Sequence, residues 1–292
     1  MPEFPTREEP APPSTKTISW LLVLSVVFGF AVSFCFMLLS FLFPDEPTAG
    51  KLVIRLGLLF GTLAFIGPPV FYFLHKRADA MSIFRLRKVP GNALWASAVL
   101  AVGLVVLTDG LDRMVAPSIN EFLDSTIGTL SPELKADYIL ERLKEELLIH
   151  DWFTGLVLII AAVAAAGICE EMLIRGMFQK SLERTMHAAS AIGLSSIVFA
   201  VMHFNPWAMI QIFALAVVLG IIAWYARSIF PTMVIHGVNN FIAILFVNLG
   251  EESLRWYGTE NSVHSVVLAM GGVLTTVGIV WLVSSLKEKH HS

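Results

Sequence analysis

The chain has 292 residues, 56% hydrophobic and only 15% charged, with a mean hydropathy of +0.73 and a formal net charge of −3. An average soluble domain carries about 25% charged residues, so this composition excludes an ordinary soluble globular protein and points to an all-α polytopic membrane protein. The acidic balance offers no basic stripe to displace counterions and excludes nucleic acid as a partner. The two cysteines, Cys35 and Cys169, both in apolar stretches, make neither a disulfide framework nor a cysteine zinc site.

In chain order, residues 1–17 hold five prolines and mixed charge and read as a disordered tail. The apolar run Ile18 to Phe43 is too long for a signal-peptide core and has no small-residue cleavage site. A spanning helix needs roughly 20 mostly apolar residues. About eight candidates follow, near 18–43, 52–75, 92–111, 151–181, 188–203, 207–227, 229–249 and 264–286. The fourth is long and the fifth short, which predicts tilt or a half-exposed turn. No internal repeat is visible, so residues 18–286 read as one membrane domain, followed by a C-terminal tail at 287–292.

Between the third and fourth candidates, Ser131-Pro132-Glu133 reads as an N-cap with proline at the first helical position. Leu140, Leu143 and Leu147 then recur at helical spacing among charged residues, predicting a surface amphipathic helix. Lysine and arginine concentrate on one side, above all Lys76, Arg77, Arg85, Arg87 and Lys88 between the second and third candidates. The positive-inside rule then puts both termini in the cytoplasm. The compact length and the lack of a eukaryotic targeting signal point to a bacterial inner membrane.

Charges inside a span are the informative feature, since each costs on the order of 2.5–3.5 kcal/mol to insert. The fourth candidate holds Glu170, Glu171 and Arg175. On a helix Glu171 and Arg175 are four apart, share a face and can pair. Glu170 points about 100° away and is left as the unmatched carboxylate. Adjacent glutamates also occur at 8–9, 145–146 and 251–252, none of them within a span, so location gives this pair its meaning. The fifth candidate ends in Phe199-x-x-x-His203, and the seventh contains His236-x-x-x-Asn240, again four apart on one face. The turn between the fourth and fifth centres near Met186. A simple hairpin therefore brings Glu170 and His203 to similar depth.

Taken singly, an intramembrane His or Asn is most simply a hydrogen-bonded packing residue, and Phe199 reads as packing. The glutamate pair outweighs that bland reading. His75, His187, His264, His290 and His291 lie at span ends or in the tail and receive no role.

The three motifs, Glu170-Glu171-x-x-x-Arg175, Phe199-x-x-x-His203 and His236-x-x-x-Asn240, resemble the signature motifs of the CPBP family of CAAX-protease and bacteriocin-processing intramembrane proteases, also called Abi. The resemblance covers about 150–249, and within the family it is nearest the type II CAAX prenyl proteases. It implies an intramembrane endopeptidase acting on membrane-associated proteins or peptides at the bilayer. In it Glu170 would activate water with help from His203, His236 and Asn240 would stabilise the oxyanion, and Glu171 and Arg175 would give structural support. No cofactor is expected. A zinc site built from Glu170, His203 and His236 stays open as the alternative, since two His and one carboxylate suit zinc, although no H-E-x-x-H pairing is present. A silent bacteriocin-immunity or binding protein and a proton-coupled transporter are the competing classes. The intact motifs count against the first and the absent inverted repeat against the second.

Overall fold

The computed structural model describes residues 12–259 and 261–288. Seven helices are long and apolar enough to cross a membrane, and one shorter apolar helix joins them. We name the principal helices α1 (Thr15–Ser40), α2 (Thr48–Lys76, interrupted by a turn at 65–66), α3 (Gly91–Thr126), α4 (Ala136–Leu147) and α5 (Trp152–Leu182). They continue with α6 (Ala188–Met202), α7 (Met209–Ala226), α8 (Phe230–Gly250) and α9 (Ser265–Glu288). The expected all-α polytopic architecture holds. The outward faces are lipid-facing in character: only 22% of the apolar window of α1 is buried by the rest of the protein.

The ends of the chain depart from expectation. Ser14 accepts a hydrogen bond from the Thr17 amide (3.1 Å) and starts α1 at Thr15, so Thr15–Thr17 of the tail expected over 1–17 are helical instead. Its first eleven residues, with Glu8-Glu9, lie outside the described residues. Lys287 and Glu288 belong to α9, while 289–292, with His290 and His291, again lie outside them.

Helix α3 runs fifteen residues beyond the expected end at 111, through Asp112, Arg113 and Pro117. It is held against α9 by close backbone contact. A Cβ on Gly103 would sit 2.5 Å from the Thr275 amide nitrogen, and one on Gly278 would sit 2.6 Å from the Leu100 Cα. Such small-residue contacts are how helices associate where lipid supplies no hydrophobic drive. Two cores result. Ile18, Phe73, Phe84, Leu173, Ile174 and Met177 join α1, α2 and α5. Leu100, Leu104, Leu219, Ile235 and Leu282 join α3, α7, α8 and α9.

The segment before α5 differs in detail. Ser131 and Pro132 start only a single 3-10 turn, Pro132–Leu134, because Lys135 is extended (ψ 150°); α4 begins afterwards. Its Leu140 and Leu143 face outward rather than into the protein. Polar contacts hold it instead. Lys51 pairs with Glu145 at 2.7 Å, which keeps the Glu145 carboxyl below its usual range. Arg55 donates to the carbonyls of Glu146 (3.4 Å) and Leu148 (2.6 Å), satisfying groups that the end of α4 leaves orphaned. This explains the arginine inside the second span. Arg55→Ala is expected to speed hydrogen exchange of the amides at 140–148, read by mass spectrometry; unchanged exchange there would show that Arg55 does not anchor the helix.

Candidate active site

Helix α5 departs from regular α geometry twice. Its segments Ile160–Ala165 and Met172–Gln179 are π-helical and flank the short α segment Ala166–Glu171 that carries Glu170 and Glu171. π segments widen the helix and re-aim side chains, and they concentrate at functional positions. Asp151 caps the start of the helix, accepting from the amides of Phe153 (3.1 Å) and Thr154 (2.9 Å). The Thr154 hydroxyl and these amides hold its carboxyl below the usual carboxylate range.

Helix α6 stops at Met202 for a local reason. Phe204 adopts a left-handed conformation (φ 48°), and Asn205-Pro206 cannot continue the helix. At fifteen residues α6 spans only about 22 Å, less than the ~30 Å hydrocarbon core. Its end therefore lies within the depth of the bundle, and His203 is its C-cap. The His203 Nδ1 lies 2.8 Å from the Phe199 carbonyl, one of the orphan acceptors of that helix end. A carbonyl only accepts, so Nδ1 carries the hydrogen and Nε2 is left to face the site.

That Nε2 lies 3.8 Å from Glu170 Oε2. His236 Nε2, from α8, lies 3.9 Å from the same oxygen. The oxygen itself is buried and has no hydrogen-bond partner. The other ring nitrogen of His236, Nδ1, is 3.1 Å from Glu171 Oε1. Glu171 Oε1 in turn accepts from Arg175 Nη1 at 3.0 Å. Glu171 and Arg175 are 0% and 1% exposed, so this ion pair is sealed from water and lipid. Arg175 also donates to the Ala216 carbonyl (3.3 Å) and lies 4.1 Å over the Phe199 ring. Phe199 meets both His203 and His236 edge-to-face, with ring centroids 4.6 and 5.8 Å away. It packs the site, as its place in the sequence suggests, and its carbonyl orients a histidine.

Asn240 sits one turn beyond His236, but its described contacts lie elsewhere. Its amide donates to the Ala162 carbonyl in the first π segment (2.7 Å), and its oxygen accepts from Asn239 (3.2 Å). The structure thus brings Glu170, His203, His236, Glu171 and Arg175 into one connected cluster and leaves Asn240 at its edge. Arg85 escapes sequence reasoning. Counted there as a loop cation, it is buried, pairs with Glu183 and donates to the Arg175 carbonyl (3.4 Å).

Tetrahedral zinc with bonds of 2.0–2.1 Å requires ligand atoms about 3.4 Å apart. The separations of 3.8 and 3.9 Å from Glu170 to the two imidazoles are wider than that. Among the described residues no group of three or more His, Cys, Asp and Glu forms a metal cluster.

The polytopic helical bundle thus sets a carboxylate with a buried oxygen before two imidazoles at its centre. Residues 151–242 match the family model for type II CAAX prenyl endopeptidase Rce1-like proteins, the segment that carries Glu170, His203, His236 and Asn240. No curated protein and no solved structure matches the chain.

Proposed function

We propose that the protein is an intramembrane endopeptidase in which Glu170 activates the attacking water. The observation that carries this reading is the partnerless Glu170 Oε2 facing two imidazole Nε2 atoms at 3.8 and 3.9 Å. A water over those three atoms donates one hydrogen to Glu170 and the other to His203 Nε2. Its lone pair then points at a substrate carbonyl. Glu170 takes the proton as the water oxygen bonds to the carbonyl carbon. It then delivers that proton to the amide nitrogen as the C–N bond breaks, giving an amine and a carboxylic acid that keeps the second water hydrogen until it ionises.

The oxyanion needs donors. Asn240 has a second amide hydrogen besides the one spent on Ala162. With one ring hydrogen on Glu171, His236 donates from Nε2 only as the doubly protonated ring. Glu171 and Arg175 do more than neutralise each other, because Glu171 sets the orientation of His236, as the carboxylate does in a catalytic triad. The substrates are membrane-associated proteins or peptides. Cleavage of such peptides by the purified protein in detergent tests the reading. Binding or proton transport without cleavage would replace it with one of the competing classes.

The basic residues of the loops support a cytoplasmic placement of both termini. Arg85, Arg87, Lys180, Arg184 and Arg227 share one end of the bundle, and Lys88 and Lys287 flank the adjacent cavity. Single cysteines at Ser82 and Ser262 are expected to react with an impermeant thiol reagent from opposite sides, Ser82 from the cytoplasm. Reaction from one side only would refute this topology.

A further inference from the structure

The basic end of the bundle carries an open cavity of about 600 Å³ between the turn at 79–87, the end of α5 and the end of α7. Arg85, Arg87, Lys180, Arg184 and Arg227 line it against two acids, Asp79 and Glu183. Three of the cations are engaged: Arg85 with Glu183, Lys180 with the Ser82 carbonyl, and Arg184 with the Pro13 carbonyl at 2.8 Å. Asp79 is engaged too, accepting from the Ser82 amide at 3.2 Å. Arg87 and Arg227 have no side-chain partner among the described residues and are exposed.

A second observation concerns the backbone. Arg85 (φ 54°) and Arg227 (φ 50°) are two of the four described non-glycine residues in the left-handed region. Arg227 is the C-cap of α7, a position where glycine is the ordinary choice. Non-glycine residues persist in this conformation where the surrounding structure holds them there, and such positions cluster at ligand-binding sites. A cation near a helix C-terminus also complements the helix dipole, but that alone requires neither a cavity nor two unpartnered arginines converging on it.

We infer that this cavity binds the phosphate of an anionic glycerophospholipid. A membrane lipid fits better than a soluble anion because the wall continues into an apolar lane. Trp224 lines the cavity and is 46% exposed, and Ile221, one turn along α7, is 48% exposed on the way into the bilayer. The headgroup phosphate sits on Arg87 and Arg227, and an acyl chain follows Trp224 and Ile221. Basic pockets between helices on the cytoplasmic side are suited to this chemistry.

The test uses the full-length protein in neutral detergent, titrated with phosphatidylglycerol, phosphatidylcholine or inorganic phosphate. Thermal midpoint and native mass spectrometry are the readouts. Phosphatidylglycerol is expected to bind and raise the midpoint, with little effect of phosphatidylcholine. The Arg87→Gln/Arg227→Asn double variant, with Asn chosen because it tolerates a left-handed cap, is expected to bind phosphatidylglycerol roughly 30-fold more weakly. Arg87→Gln alone, which leaves the backbone of α7 untouched, is expected to show part of that loss. Equal effects of the two lipids, unchanged binding in the variants, or full reproduction of the shift by inorganic phosphate would each overturn the proposal.

Discussion

Glu170→Gln is expected to leave the protein folded while cutting peptide cleavage by roughly 10²–10⁴-fold, the range for loss of a general base. Gln keeps the shape of Glu and can still occupy the space before His203 and His236, but it cannot take a proton from water. The rest of the cluster does not depend on this side chain for its geometry. His203 is held by the Phe199 carbonyl, and His236 by Glu171. Binding of an uncleaved substrate should therefore be nearly unchanged, so the loss falls on turnover. Cleavage assayed beside size-exclusion profiles and substrate binding checks this. Turnover near the wild-type level in a folded Glu170→Gln protein would remove Glu170 from the chemistry.

The second large effect is on folding. Arg175→Ala is expected to destabilise the protein by about 3–5 kcal/mol, the usual cost of leaving one member of a buried ion pair alone. It strips Glu171 of its cation, frees the Ala216 carbonyl and removes the guanidinium from the Phe199 ring. Monodisperse protein recovered from detergent extracts should fall sharply. The Glu171→Leu/Arg175→Met double variant removes both charges and should recover much of that yield, since a buried pair replaced by apolar residues is often neutral. It should stay inactive, because His236 loses the acceptor on Nδ1. Recovery of activity along with yield would show that Glu171 has no positioning role. Full yield from Arg175→Ala would show that the pair does not support the fold.

Much of this arrangement was legible in the sequence because its signals are local or periodic. Spans announce themselves by about twenty apolar residues. The hairpin from α5 to α6 has nearly equal arms about Met186, which suffices to bring Glu170 and His203 level. The spacing of four placed Glu171 on Arg175 even though a π segment begins at Met172. What was missed depends on tertiary partners. The apolar pattern of α3 fails at Asp112 and Arg113, yet the helix continues, and Arg113 meets protein rather than lipid. Arg113 binds Asp109 at 2.8 Å, and Asp109 also accepts from Tyr257 at 2.8 Å. Burial and the neighbouring Asp109 raise the Tyr257 phenol above its usual range.

Three other features were not decided by local signals. The π segment at 160–165, Ile-Ala-Ala-Val-Ala-Ala, is as compatible with a regular helix as with a widened one. The Ser131 cap had the right residue types, but Lys135 turned extended three residues after Pro132 and ended the helix it had begun. The equal spacing of His236 and Asn240 on one face likewise did not reveal that Asn240 spends an amide hydrogen on the Ala162 carbonyl. Side-chain partners across helices are invisible to a periodicity.

The central claim is that a carboxylate, without a bound metal, activates the water. The most direct measurement is metal content by mass spectrometry together with peptide cleavage by the same detergent-purified protein, before and after chelation. Far less than one metal ion per chain, with cleavage unchanged by the chelator and lost in Glu170→Gln, is the expected result. One zinc per chain, with cleavage that the chelator abolishes and added zinc restores, would contradict it and make Glu170, His203 and His236 the ligands.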